Sequence, residues 1–154
     1  NTRAMDRLIL ENELRAALGG EEFELFYQPQ ISVEERTIVG MEALLRWRHP
    51  RRGLLAPDTF INVAEASGLI VPLGEWTIRR ACDQIREMRD RTGSPVQIAV
   101  NISARQFADP NLPDVVEQAL RASELDPASL ELEITDADGT VLATTAGTYF
   151  GLAF

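Results

Sequence analysis

Hydrophobic residues recur at two spacings along this chain, and the spacing separates helices from strands. Residues 4–18 place Met5, Leu8, Ile9, Leu14, Ala17 and Leu18 on an approximate helical stripe. Gly19 and Gly20 supply its stop. Residues 23–28 then alternate, with Phe23, Leu25 and Tyr27 on one face and Glu24, Phe26 and Gln28 on the other; Pro29 ends this strand. Residues 31–33 stay extended, residues 34–37 form a polar turn, and residues 38–47 alternate again, so the two strands predict a hairpin.

A basic, turn-prone loop covers residues 49–53. Pro57 suits the first position of a helix carrying Phe60, Ile61, Val63 and Ala64, and Gly68 stops it. A longer helix follows Pro72 to about Arg91, with Ile78, Ala81, Cys82, Ile85 and Met88 as its inner stripe and Glu75–Arg79 and Glu87–Arg91 as outer pairs. Residues 96–103 predict a strand, Pro113 opens another helix with Val115, Val116, Ala119 and Leu120 inside, and residues 130–135 predict a further strand. Beyond Asp136 the pattern weakens: Asp138 and Gly139 signal a turn, and residues 140–142 suit a short strand. After the hairpin the order is strand, helix, helix, strand, helix, strand, which favours a mainly parallel α/β sheet with covering helices. A barrel of eight such units takes about 250 residues, and this chain supplies about half of one.

The strand at 38–47 poses a chemical question. Val39, Met41, Ala43, Leu45 and Trp47 share an apolar face, while Ile38, Gly40, Glu42, Leu44 and Arg46 share the other. An unpaired buried charge costs several kcal/mol. Either Glu42 and Arg46 pair with each other, or cationic and anionic groups sit between them, or this face simply meets water.

Composition narrows the partners. The 154 residues are 45% hydrophobic and 25% charged, an ordinary globular mix long enough for one sizeable core. A net charge of −9 argues against non-specific binding to nucleic acid or an anionic membrane, so an anionic ligand would need local arginines or metal ions. The single cysteine, Cys82, forms no internal disulfide and suits a reducing compartment; on its helical stripe it is a small core residue. No apolar run approaches the roughly 20 residues of a membrane span. Asn1 at the start and the apolar residues 149–154 at the end lead us to expect a chain that begins mid-protein or after processing and ends on a cut.

Glu42, Asn101 and Glu133 occupy similar places in three strands, Glu42 expected towards the C-terminal half of its strand and the others near their C-terminal ends. In parallel α/β folds those ends converge on the active site. Two carboxylates and an amide carbonyl form a hard oxygen set, suited to Mg²⁺ or Mn²⁺ rather than zinc. The alternative is three unrelated polar residues at strand ends.

The chain resembles the EAL domain family, the bacterial phosphodiesterases that open cyclic di-GMP. The naming triplet stands as Glu42-Ala43-Leu44, within Met-Glu-Ala-Leu-Leu-Arg-Trp. Around it come Phe26-Tyr27-Gln28-Pro29, Arg48-His49-Pro50, Pro57 with Phe60, Val100-Asn101-Ile102-Ser103 and Leu132-Glu133-Ile134-Thr135, all in family order. The resemblance covers roughly residues 5–136, so residues 1–136 are expected to form the N-terminal portion of such a domain and residues 137–154 a divergent or truncated tail.

The resemblance implies a partial, modified (β/α) barrel and two divalent cations that activate a water against one phosphodiester, giving linear pGpG. It implies Glu42, Asn101 and Glu133 as metal ligands, Gln28, Leu44 and Arg46 as cyclic di-GMP contacts, and Asp136 as a loop-stabilising residue where the family usually has glutamate. The family's paired aspartates, catalytic lysine and later glutamate have no counterpart here, and the chain contains no lysine. Asp136-Ala137-Asp138-Gly139 reads as a turn instead, and Thr148-Tyr149-Phe150-Gly151 faintly matches a late family segment. The resemblance therefore implies a cyclic di-GMP phosphodiesterase of which this chain alone is inactive. The alternative is a degenerate module that binds cyclic di-GMP or a protein partner without cleaving. A third reading is a fragment with no stable function: half a barrel exposes an open strand edge and apolar helix faces, so it is expected to aggregate, to swap elements between chains as a homodimer or swapped assembly, or to pair with a complementary half.

Overall fold

A computed structural model describes residues 2–136 and 140–146. The expected turn at Asp138-Gly139 and the segment at residues 148–151 lie outside the described residues. Helix α1 (Thr2–Ala17) buries only its C-terminal stripe, Leu10, Leu14 and Ala17. Strands β1 (Phe23–Ile31) and β2 (Ile38–His49) form the expected hairpin, pairing antiparallel from Phe23 opposite Trp47 to Ile31 opposite Ile38. Pro29 does not end β1. The strand lies at an edge of the sheet, where a missing N–H is tolerated.

The basic loop turns back as a short strand, β3 (Gly53–Leu55), antiparallel to β2. Buried His49 organises this turn: Nδ1 accepts from the Arg51 and Arg52 backbone N–H groups at 3.1 and 3.2 Å. Nε2 therefore carries the hydrogen and donates to Glu13 of α1 at 3.0 Å. Arg51 and Arg52 also pair with Glu13, so one carboxylate ties α1 to the turn.

A 3-10 turn (Pro57–Thr59) leads into α2 (Ile61–Ser67), which Gly68 ends in the left-handed conformation at φ 80°. Helix α3 (Ile70–Thr92) begins two residues before Pro72, which the first turn accepts because its N–H would be unpaired there anyway. The Glu75–Arg79 pair forms at 2.8 Å, whereas Glu87 accepts instead from Gln84. Strand β4 (Ile98–Ser103) leads into a single helical turn, α4 (Ala104–Phe107), which the hydrophobic pattern is too short to reveal. Helix α5 (Leu112–Ala122) and strand β5 (Leu130–Thr135) follow as expected. Strand β6 (Val141–Ala146) is longer than the short strand expected and returns antiparallel to β5.

The sheet order is β1-β2-β4-β5-β6, with β3 beside β2. Among the described residues only β2–β4 and β4–β5 are parallel, so the sheet is mixed rather than mainly parallel. Two clusters fill it. Ile78, Cys82 and Ile85 of α3 and Val116 and Leu120 of α5 cover Ala43, Val100 and Leu132 on the sheet. Leu14, Phe23, Trp47, Phe60 and Leu73 form the second, with Phe23 and Trp47 ring centres 5.7 Å apart. Burying each such side chain contributes about 1.5–3 kcal/mol. Among the described residues no helix is long and apolar enough to cross a membrane.

Candidate functional site

Strand alternation sends the apolar residues of β4 and β5 towards the helices and leaves Asn101 and Glu133 on the other face. Parallel register sets Asn101 directly beside Glu133. Glu42 is the fifth of twelve residues in β2, not in its C-terminal half, because the strand runs on to His49. It still meets the other two, since β4 pairs with β2 only over Met41–Ala43 and so carries Asn101 past it. Asn101 Nδ2 donates to Glu42 Oε1 at 2.7 Å.

Glu133 feels both its burial and the neighbouring carboxylate. Burial first, then the charges of Glu42 and Glu131, push the Glu133 carboxyl above the usual carboxylate range. A cation lodged here would relieve that repulsion, and the donors are hard oxygens. Among the described residues no three His, Cys, Asp or Glu side chains gather into a metal-ready cluster; the set is two carboxylates and an amide. All three line a cavity of about 530 Å³ whose wall also includes Leu44, Asp58 and Asp136.

The other expected residues are more scattered. Gln28 lies directly across the hairpin from Glu42 and is exposed. Arg46 lies four residues beyond Glu42, about 13 Å along the strand. It does not pair with Glu42: its guanidinium donates to the Leu45 carbonyl at 2.8 Å and lies 5.8 Å from the Phe26 ring centre. Asp136 closes the β5–β6 connection, accepting from the Thr140 N–H at 2.8 Å and donating its own N–H to the Thr140 carbonyl at 3.0 Å.

The cavity also contains residues that the sequence reading missed. Ser103 at the end of β4, Gln106 of α4 and Gly74 of α3 line it. Their signal was present as Ser103-Ala104-Arg105-Gln106, a serine followed three residues later by glutamine, which is the pattern of a helix-capping box.

The model of the EAL domain matches residues 11–148. Among curated relatives, the bifunctional diguanylate cyclase/cyclic di-GMP phosphodiesterase MucR of Pseudomonas aeruginosa is 43% identical over 136 residues, which is 88% of this chain and 20% of the relative. Cyclic di-GMP phosphodiesterase PdeR of Escherichia coli is 40% identical, again over 88% of this chain and 20% of the relative. The chain thus spans about a fifth of these relatives. Among solved structures, the MucR phosphodiesterase in complex with c-di-GMP superposes with a TM-score of 0.78 at 44% identity, over 82% of this chain and 51% of that one. The FimX EAL domain of Xanthomonas citri in complex with c-di-GMP gives 0.75 at 26% identity, over 87% of this chain and 51% of that one. The α/β architecture is therefore that of a partial barrel, and the chain belongs to the EAL domain family.

Proposed function

We propose that this chain supplies one wall of a bacterial, cytoplasmic cyclic di-GMP phosphodiesterase site, acting on c-di-GMP to give linear pGpG. The observation that carries the proposal is the convergence of Glu42, Asn101 and Glu133 from three adjacent strands on one cavity, with the Glu133 carboxyl pushed up by burial and then by Glu42 and Glu131. These three would hold Mg²⁺ or Mn²⁺, which when bound would supply Lewis-acid charge stabilisation and lower the pKa of a bound water.

The remaining work belongs to the chain's own groups. Arg46, about 13 Å along β2 from Glu42, would turn from the Leu45 carbonyl to meet a phosphate of the dinucleotide. Leu44, between them on the same face, offers apolar contact to a base, and Gln28 offers an amide opposite Glu42. In the reaction the water oxygen bonds to phosphorus, the P–O3′ bond breaks, and the 3′-oxygen leaves with a proton originating from that water.

The 154 residues contain no lysine to handle that proton and no paired-aspartate motif. The chain alone is therefore expected to retain c-di-GMP without cleaving it. Its sheet ends in open edges at β1 and β6 among the described residues, so pairing or element swapping between copies is the expected way to cover them.

Equilibrium dialysis with c-di-GMP and Mn²⁺, followed by chromatography, tests the reading. Retained, uncleaved dinucleotide that is released by a chelator, and weakened at least tenfold by Arg46→Ala, supports it. Absence of retention with or without metal overturns it, and pGpG formed at an ordinary enzymatic rate by this chain alone overturns the assignment of the missing groups.

A further inference from the structure

The last residue of β4, Ser103, is also the N-cap of α4. Its N–H donates to Gln106 Oε1 at 2.8 Å, and its Oγ accepts from the Gln106 N–H at 3.3 Å. Asn101 lies two residues earlier on the same strand, and Ser103 pairs with Thr135 just as Asn101 pairs with Glu133. The cap thus fixes the end of the strand that presents Asn101.

Gln106 is held from the other side by α3. Its side chain is buried in a notch that exists because residue 74 is glycine. A β-carbon at Gly74 would lie 2.9 Å from Gln106 Cδ and closer still to Nε2, where no real β-carbon sits. The notch, the cap and the Glu42–Asn101 bond border one cavity. Neither Gln106 nor Gly74 carries a charge.

We propose that Gln106, seated against Gly74, is a positioning residue that holds Asn101 in register with Glu42 and Glu133. It acts through the end of β4 rather than on the ligand. This inference rests on the metal-holding role given above to those three residues. Supporting groups of this kind change metal affinity by about 10–100-fold when removed.

Two readouts on the 154-residue chain test it, with far-UV circular dichroism establishing that each variant is folded. The first needs no metal: the side-chain amide resonances of Asn101 in a ¹H–¹⁵N spectrum report its bond to Glu42. Gln106→Leu is expected to shift them, and Gln106→Glu, which rebuilds the bond to the Ser103 N–H, is expected to restore them. The second is Mn²⁺ affinity by titration calorimetry, expected to fall about tenfold in Gln106→Leu. If Gln106→Leu does not fold, Ser103→Ala removes one half of the cap and is read in the same way. Unmoved Asn101 resonances together with Mn²⁺ affinity within twofold of wild type overturn the proposal. Shifted Asn101 resonances in a chain whose wild type binds no Mn²⁺ uphold the positioning role and overturn the metal-holding role.

Discussion

Replacing Gly74 with alanine sets two effects against each other. Gly74 is the fifth residue of α3 and is buried. Alanine in a helix interior is favoured over glycine by about 1 kcal/mol, so propensity alone predicts stabilisation. The added methyl would however drive out the Gln106 carboxamide. That group is the end of a flexible side chain and could rotate away, but only by giving up the 2.8 Å bond from the Ser103 N–H. A buried N–H left unsatisfied costs about 1–3 kcal/mol. Overpacking adds about 1 kcal/mol at the low end of its range. The loss exceeds the gain, and Gly74→Ala is expected to destabilise the chain by about 1–3 kcal/mol. The same substitution made in a Gln106→Ala background meets no carboxamide and is expected to stabilise by about 1 kcal/mol. Urea unfolding of the four variants, followed by far-UV circular dichroism, measures both steps. A stabilising Gly74→Ala in the presence of Gln106, or equal effects in the two backgrounds, would refute the contact as the reason for the glycine.

Two further outcomes follow from the titrating groups. Because the Glu133 carboxyl is pushed up by burial and then by Glu42 and Glu131, the folded chain holds its proton more tightly than the unfolded chain does. With chelator present, stability contributed by this group is therefore complete below the ordinary carboxylate pKa and is lost as pH rises through the higher folded value. Glu133→Gln is expected to flatten that part of a stability–pH curve, and an unchanged slope would count against it. Cys82 is fully buried and its thiol is pushed up to about 12 by burial and then by Asp83. At pH 8 it is expected to resist a thiol reagent until urea unfolds the chain; reaction within minutes in the folded chain would place it nearer the surface than described.

The hydrophobic pattern located most elements because their burial is periodic. Strand β5 is an example: Leu130, Leu132 and Ile134 alternate with Glu131, Glu133 and Thr135, and the structure begins and ends the strand on the expected residues. Residues 38–47 carried the most chemical information, since two charges among apolar residues called for partners or for water. The structure gives each charge a different one, Asn101 for Glu42 and Phe26 with the Leu45 carbonyl for Arg46. Neither partner could be assigned from β2 alone. Asn101 stands 59 residues from Glu42 in sequence and reaches it only through the parallel pairing of β4 with β2.

Three of the misreadings turn on how backbone N–H groups are satisfied or dispensed with. Pro29 breaks a central strand but not the edge strand β1, and nothing local distinguishes the two. β3 forms because His49 satisfies two backbone N–H groups in its turn, a side-chain contribution that hydropathy does not register. Likewise α4 is a single turn held by Ser103 and Gln106, four residues long and too short to show a stripe. Polar side chains that cap backbone therefore shape this site as much as its charged residues do. Glu42, Asn101 and Glu133 can be noticed as unusual residues in apolar strands, whereas the groups that fix their spacing look like ordinary loop residues until the fold brings Gly74 against Gln106.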